Sequence, residues 1–300
     1  MENPKVSIII PTFNRAEDLK RALTSIFTQT FQDWEILVVD NSSSDNTRAY
    51  IDSLSDSRIS FFEVQNNGVV AYSRNVGIKN SKGTFLAFLD SDDWWSPDKL
   101  EKSVSILESK NLDLVYHDLY HVNSLDQLFY FKKEKTRNLK EPIFQDLILN
   151  GNGINNSSVV VRKSIVDKVG GLDENPNLVA GEDFDFWIRI ATKTDRFYRI
   201  RKCLGYYWVG GGNLTNPTRS LNVLQVLQIK YRSDFDKLVD NNTKTPWWFY
   251  KTRMQLSVSV GDFVGAEKEM KFLRNAPIRV KWKYVLLFQI KKILNMIRLK

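Results

Sequence analysis

Phe85-Leu86-Ala87-Phe88-Leu89-Asp90-Ser91-Asp92-Asp93-Trp94-Trp95 is an apolar run that ends abruptly in carboxylates. Thr84 to Leu89 reads as a buried strand, because a short unbroken apolar run beside polar residues fits a strand covered on both faces. Stability alone does not account for Asp90, Asp92 and Asp93 directly after it. Carboxylates this close raise one another's pKa unless a cation or a cluster of donors compensates them. In an open α/β sheet, ligands bind at the carboxyl ends of the strands, where a divalent cation is the natural compensator. Such a cation holds phosphates, so the stretch points to an α/β fold with a phosphate-bearing ligand.

On either side the chain alternates strand and helix. Val6 to Ile10 is a β-branched strand that stops at Pro11. A helix follows, with Asn14 as its expected cap and Glu17 three residues on, in the manner of a capping box. Leu19, Ala22, Leu23, Ile26 and Phe27 keep one helical face. Trp34 to Val39 and Ile59 to Val64 are the next strands, with helices over Thr47 to Leu54 and Val70 to Lys79. Ser96-Pro97-Asp98 opens another helix, with serine as cap and proline at its first position. Strands separated by helices of this length imply right-handed crossovers and a mostly parallel central sheet flanked by helices. From about residue 111 the pattern loosens. Strands are expected at Leu114 to Val122 and Ser157 to Val161, a polar loop at Ser124 to Lys140, a helix at Asp185 to Ala191 and extended chain at Tyr206 to Val209. Beyond Ser220 the chain is helical in character, over Leu221 to Leu238, Trp247 to Leu273 and Arg279 to Leu299.

Three hundred residues, 42% hydrophobic and 26% charged, suit an ordinary soluble chain of one or two domains. One cysteine, Cys203, makes no internal disulfide, and Met1-Glu2-Asn3-Pro4-Lys5 has no signal-peptide character. With no apolar run near the ~18 residues of a membrane-spanning helix, a cytoplasmic location is expected. The net charge of +8 belongs to the end of the chain, where the last thirty residues hold nine basic groups and no acid. Neither Gly-x-Gly-x-x-Gly nor a Gly-Lys-Ser/Thr loop follows the first strand, which argues against a dinucleotide dehydrogenase and a P-loop nucleotidase. His117 and His121 share one strand face but find no third ligand at useful spacing, and read as strand or surface residues.

Polar residues gather at strand ends: Thr12 and Asn14 after the first, Asp40 and Asn41 after the second, Asp90 and Asp92 after the fourth. In a parallel sheet these ends share one edge and converge on one crevice, although each alone also fits a cap or a turn. Val6-Ser7-Ile8-Ile9-Ile10-Pro11-Thr12-Phe13-Asn14-Arg15, Val38-Val39-Asp40-Asn41-Ser42-Ser43-Ser44-Asp45, Ser73-Arg74-Asn75-Val76-Gly77, Lys82-Gly83 and Leu89-Asp90-Ser91-Asp92-Asp93 occur in this order. Together they resemble the inverting, nucleotide-sugar-dependent glycosyltransferases of family 2, with an Asp-x-Asp signature and the α/β fold called GT-A. The resemblance covers roughly residues 4 to 215. It implies a GT-A unit at 1–217, made of a Rossmann-like nucleotide-sugar half at 1–110 and an acceptor half at 111–217. A helical region with a basic tail follows at 218–300.

Position by position, the resemblance implies that Pro11, Thr12 and Phe13 line a base pocket beside Arg15, with Phe13 as the stacking face. Asp40 and Asn41 take the base-reading position. Related enzymes often have a second aspartate there that accepts from uracil N3, and the Asn41 amide oxygen also accepts, which points to UDP. Arg74 either helps hold the nucleotide or braces Asp40. Asp90 touches ribose, Ser91 sits beside it, and Asp92 with Asp90 binds Mn2+ or Mg2+ across the diphosphate, while Asp93 supports the next helix. Gly181-Glu182-Asp183-Phe184-Asp185-Phe186-Trp187 resembles the family's Glu-Asp motif beneath the acceptor site. Asp183 is then the catalytic base and Glu182 its neighbour, and Trp187 and Asp173 contact the acceptor sugar. Some relatives supply a late histidine to the metal near Tyr207 to Asn213; none stands there, which leaves the third ligand open.

The implied acceptor is a glycan or lipid-linked glycan of bacterial lipopolysaccharide, capsule or exopolysaccharide. Two other functions remain. A nucleotidyltransferase of sugar phosphates would want a Gly-rich loop bearing Arg or Lys after the first strand, which Pro11 to Arg15 is not. The other is a catalytically silent nucleotide-sugar-binding subunit that supports a partner transferase. The tail from Lys271 suits peripheral attachment to an anionic membrane, at about 1 kcal/mol per cation. It equally suits packing or homo-oligomer formation through Trp282, Leu286, Ile293 and Ile297. No nucleic-acid recognition motif accompanies it.

Overall fold

The computed structural model describes residues 3–134, 136–211, 216–239, 245–273, 286, 288 and 289. Its strands are β1 (Val6–Thr12), β2 (Trp34–Asp40), β3 (Ile59–Glu63), β4 (Phe85–Phe88), β5 (Trp94–Trp95), β6 (Leu114–Val122), β7 (Lys133–Glu134), β8 (Val160–Arg162) and β9 (Phe197–Trp208). They form one sheet in the order β3-β2-β1-β4-β8-β6-β9-β5, with β7 paired to β6. The quartet β3-β2-β1-β4 is parallel, because the helices α1 (Ala16–Phe27), α2 (Thr47–Leu54) and α3 (Val70–Asn80) carry the chain back between its strands. β8 then runs antiparallel to both β4 and β6, and β6 pairs in parallel with β9.

The sheet is covered on both faces. Along β1, Val6, Ile8 and Ile10 belong to one apolar cluster with Leu19, Leu23 and Ile26 of α1. Ile9 belongs to a second cluster with Leu86, Phe88 and Trp187. This two-residue alternation, with both sides apolar, is what an interior parallel strand requires. Of the later helices, α4 (Lys99–Ser109) packs into the first cluster and α11 (Phe263–Phe272) into a third, while the second takes in those between them in part. Between them come α5 (Ile143–Asn150), α6 (Lys163–Val169), α7 (Glu182–Ala191), α8 (Pro217–Lys230), α9 (Arg232–Leu238) and α10 (Trp247–Ser259). Leu224 and Leu227 of α8, Phe235 of α9 and Phe249 of α10 share that core, so the described C-terminal helices pack onto the α/β unit. The expected helix over Arg279 to Leu299 lies outside the described residues, apart from positions 286, 288 and 289.

Two helix starts differ from expectation. Asn14 does not cap α1: it has φ 50° and accepts the Ser44 backbone N–H on its Oδ1 (2.8 Å), while Asp45 Oδ2 accepts from Ala16 N (2.9 Å). The cap therefore comes from the loop after β2 and ties two sheet-edge loops together. Nor does Ser96 cap α4, which begins at Lys99 after Asp98; Ser96 Oγ donates to Asp98 Oδ1 (2.9 Å). The residues before it, Trp94 and Trp95, form a two-residue strand against Tyr206 and Gly205.

The turn into β4 explains Lys82-Gly83. Ser7 Oγ donates to Glu35 Oε1 (2.6 Å) and accepts from Gly83 N (2.8 Å), while Lys82 N also donates to Glu35 Oε1 (2.7 Å). A Cβ on Gly83 would lie 2.6 Å from the Ser7 backbone nitrogen, and backbone inside a sheet has nowhere to move. Gly83→Ala should therefore destabilise the protein by about 1–3 kcal/mol, the range for overpacking, as read from the denaturant midpoint at unchanged m-value.

Candidate active site

The ends of β1, β2 and β4, the start of α7 and the segment before β8 surround a cleft of about 640 Å³. Pro11, Thr12, Phe13, Arg15, Asn41 and Arg74 line it, as do Asp90, Ser91, Asp92, Glu182 and Asp183. Asn155 and Asn156, in the stretch Asn155 to Val161 that resembles the family's acceptor-side strand, also line it, and so do Glu134, Thr136, Asn66 and Tyr207, which were not anticipated. Asn66, Glu134 and Thr136 stand in loops or a two-residue strand without periodicity. The doublet Asn155-Asn156 before an apolar strand was the one local signal for such a site.

Arg74 joins the two acidic groups. Its guanidinium, on α3, donates to Asp90 Oδ1 (2.7 Å) and Glu182 Oε1 (2.5 Å), residues 16 and 108 positions away in the chain. The side chain is 5% exposed, and the two carboxylates hold it in its charged form against burial. It braces Asp90 and Glu182 rather than Asp40. Its neighbours on α3 extend the same function: Ser73 Oγ accepts from Asn66 Nδ2 (2.7 Å), and Asn75 exchanges hydrogen bonds with both the N–H and the C=O of Leu172.

Asp90 also accepts from Asn156 Nδ2 (3.0 Å), and its backbone N–H donates to Ser157 Oγ (3.1 Å). Arg15 Nη1 donates to Asp92 Oδ2 (2.7 Å), and Arg21 Nη2 to the Asp92 backbone oxygen (2.8 Å). Burial, and then the charge of Asp90, push the Asp92 carboxyl up to about 6. Asp93 is buried and its pKa is raised well above the usual range by desolvation; it accepts from Trp208 N (2.9 Å). It thus anchors the end of β9, not the helix that follows it. Arg74 and Asn156 both reach Asp90 through Oδ1, and Arg15 reaches Asp92 through Oδ2. Hard oxygen donors in crowded carboxylates fit a Mg2+ or Mn2+ ion, whose charge would relieve their repulsion. Among the described residues no third His, Cys, Asp or Glu completes such a set.

At the ends of β1 and β2, Phe13 is 52% exposed at the cleft wall, and the Thr12 hydroxyl is buried without a hydrogen-bond partner among the described residues. The Asn41 amide oxygen already accepts from Asn66 N (2.7 Å), so its NH₂ is the end with no protein partner among the described residues. Asp40 is outside the lining. Its two oxygens accept from Ser43 N (2.8 Å) and Ser43 Oγ (2.5 Å), shaping the turn that presents Asn41.

Glu182 opens α7, with Oε2 accepting from Gly181 N (3.0 Å). Asp183 Oδ1 accepts from Phe184 N (2.7 Å), and Oδ2 has no protein partner among the described residues. Burial first, then the Glu182 charge, push the Asp183 carboxyl up to about 7, against the lowering effect of Arg74. A half-buried carboxylate with this pKa in a cleft is suited to proton abstraction near neutral pH.

Trp187 and Asp173, expected at the acceptor, are elsewhere. Trp187 is wholly buried between Phe88 and Phe186, because position 187 falls on the core side of α7. Asp173 pairs with Lys230 of α8 (2.6 Å), outside the cleft lining. Asp173→Asn should leave the KM for acceptor unchanged and cost less than about 1 kcal/mol, as for a partly exposed pair; steady-state kinetics and thermal unfolding check both.

Solved glycosyltransferases share this architecture. TarS residues 1–349 of S. aureus in complex with UDP-GlcNAc matches with a TM-score of 0.59 at 16% identity, over 94% of this chain and 92% of that one. The mannosyltransferase PcManGT of Pyrobaculum calidifontis, in complex with GDP-Man and Mn2+, matches with a TM-score of 0.56 at 16% identity, over 99% and 81%. In sequence, the chain is 32% identical over 192 residues to the Escherichia coli UDP-Glc:alpha-D-GlcNAc-diphosphoundecaprenol beta-1,3-glucosyltransferase WfgD, covering 63% of this chain and 71% of WfgD. It spans only 34% and 35% of two Rickettsia glycosyltransferases that it also matches. The model of glycosyl transferase family 2 matches residues 7–170. That match covers β1 to β8, including the ends of β1, β2 and β4 at the cleft, and the chain belongs to glycosyl transferase family 2, a glycosyltransferase with the GT-A fold.

Proposed function

We propose that the enzyme transfers a hexose-type sugar, with inversion, from a nucleoside diphosphate donor, most simply UDP, to a hydroxyl of a glycan acceptor in bacterial surface polysaccharide assembly. The observation that carries this reading is that Asp183 lines the same cleft as Asp90 and Asp92, with Arg74 tying Asp90 to Glu182, the residue beside Asp183. In this reading the acceptor oxygen attacks the anomeric carbon as Asp183 Oδ2 takes its proton. The bond from that carbon to the diphosphate breaks, and its electron pair leaves with the nucleotide. Attack and departure occur on opposite faces, so the configuration inverts. Phe13 stacks on the base and Arg15 and Arg74 hold positive charge near the phosphates. A Mg2+ or Mn2+ ion held by Asp92 and Asp90 would neutralise charge growing on the diphosphate.

UDP as nucleotide draws support from the TarS complex with UDP-GlcNAc and from the UDP-Glc specified for WfgD. A lipid-linked acceptor draws support from the diphosphoundecaprenol acceptor of WfgD. The test is turnover of a panel of UDP-sugars with an undecaprenyl-diphosphate-linked GlcNAc analogue, followed by NMR of the product. UDP release with a new glycosidic bond of inverted configuration supports the reading; a product of retained configuration removes it.

A further inference from the structure

Between β6 and β7 the chain leaves the sheet in a loop whose tip is strongly apolar. Leu125, Leu128, Phe129 and Phe131 are 66%, 83%, 69% and 85% exposed, and the Phe129 and Phe131 rings stack on each other with centroids 6.0 Å apart. A soluble protein gains nothing from displaying four large apolar side chains together. Nor is the loop loosely attached. Gln127 Nε2 donates to the backbone oxygens of His121 (3.2 Å) and Phe129 (2.9 Å). The Tyr130 ring packs on Tyr206 (5.1 Å) and Tyr120 (5.6 Å) of the sheet. Half-buried tyrosines therefore form the base from which the apolar tip projects.

Within residues 123–133 two lysines stand against one acid. Lys132 and Lys133 are exposed, with Lys133 Nζ 5.4 Å from the Tyr120 ring centroid. Asp126 is the loop's own acid, and Glu134 at its end is engaged by His121 Nε2 (2.5 Å). Apolar tips, then tyrosines, then lysines follow the order of the bilayer interface: acyl boundary, headgroup depth, phosphate plane. The loop also leads directly into the site, because Glu134 and Thr136 line the cleft.

We propose that this loop, residues 123–133, seats the enzyme on an anionic lipid bilayer with the cleft mouth beside the headgroups. Its purpose rests on the lipid-linked-acceptor reading above: an acceptor sugar carried on a membrane lipid then meets the cleft without leaving the surface. Its test does not depend on that reading.

The test is co-sedimentation of the full chain with vesicles of phosphatidylethanolamine and phosphatidylglycerol, and with phosphatidylcholine vesicles as the neutral control. The wild type should bind the anionic vesicles. The Phe129→Ser/Phe131→Ser variant should partition at least about tenfold more weakly, the loss expected when two aromatic side chains no longer bury their surface. Lys132→Glu should weaken binding to the anionic vesicles alone. Because both phenylalanines are exposed, thermal unfolding should be unaltered. The proposal is overturned if the wild type does not bind, if the double variant partitions like the wild type (binding then residing in the basic tail), or if the substitutions change only the oligomeric state seen by light scattering. UDP release with a water-soluble glycan acceptor separates the two readings. Equal turnover by variant and wild type leaves only the docking at stake. No turnover by either, with vesicle binding still dependent on the phenylalanines, removes the functional reading and keeps the docking.

Discussion

Asp183→Asn should lower kcat by about 10²–10⁴-fold, the usual contribution of a positioned general base, while UDP still binds as in the wild type. The substitution preserves shape and removes the proposed proton acceptor while leaving Asp90 and Asp92 in place. The pH dependence makes the expectation specific. Burial and Glu182 push Asp183 up to about 7, so the deprotonated, proton-accepting form is lost as pH falls through that region. The wild-type kcat/KM should therefore rise with pH along a limb centred near 7, and the residual activity of the asparagine variant should lack that limb. Undiminished turnover in Asp183→Asn would remove Asp183 as base.

The largest effect on stability is expected at Arg74. Its guanidinium is 5% exposed and bridges Glu182, itself 6% exposed, to Asp90. Removing one member of a buried ionic group leaves an uncompensated charge, which costs about 3–5 kcal/mol. Arg74→Met should lose that much in a denaturant titration and should lose turnover as well, because Asp90 and the start of α7 lose their common tether. Arg74→Lys should recover only part of both: an ammonium restores charge but not the planar fork that reaches two carboxylates. Full stability in Arg74→Met would show that the bridge contributes nothing net.

How legible this molecule was depends on whether a feature is local. β6 runs over Leu114–Val122 as the apolar pattern indicates, and the parallel quartet follows from alternating strands and helices. Convergence of strand ends brought Thr12, Asn41, Asp90 and Asp92 to one cleft. What escaped is long-range. The cap of α1 comes from Asp45, 29 residues on, although Asn14 and Glu17 carry a local capping pattern. β5 is two residues long and exists only through its pairing with Gly205 and Tyr206. Arg74 was singled out, but its partners Glu182 and Asp90 are joined by tertiary folding alone. Trp187 sits in a motif shared with active-site residues, yet its helix turns it into the core. The amphiphilic loop after β6 reads as polar and basic from its flanks, although Leu128-Phe129-Tyr130-Phe131 is an unbroken apolar run; what the sequence does not show is that its side chains are exposed rather than buried.

The central claim is a nucleoside diphosphate held at Asp90 and Asp92 through a divalent cation. Calorimetric titration of UDP, TDP and GDP into the protein, with Mn2+ present and again with EDTA, tests it most directly. The account predicts that one nucleotide, UDP, binds with Mn2+, that EDTA abolishes this binding, and that Asp92→Ala abolishes it in a protein with unaltered secondary structure. Absence of metal-dependent binding for all three nucleotides, or undiminished binding in Asp92→Ala, would contradict it.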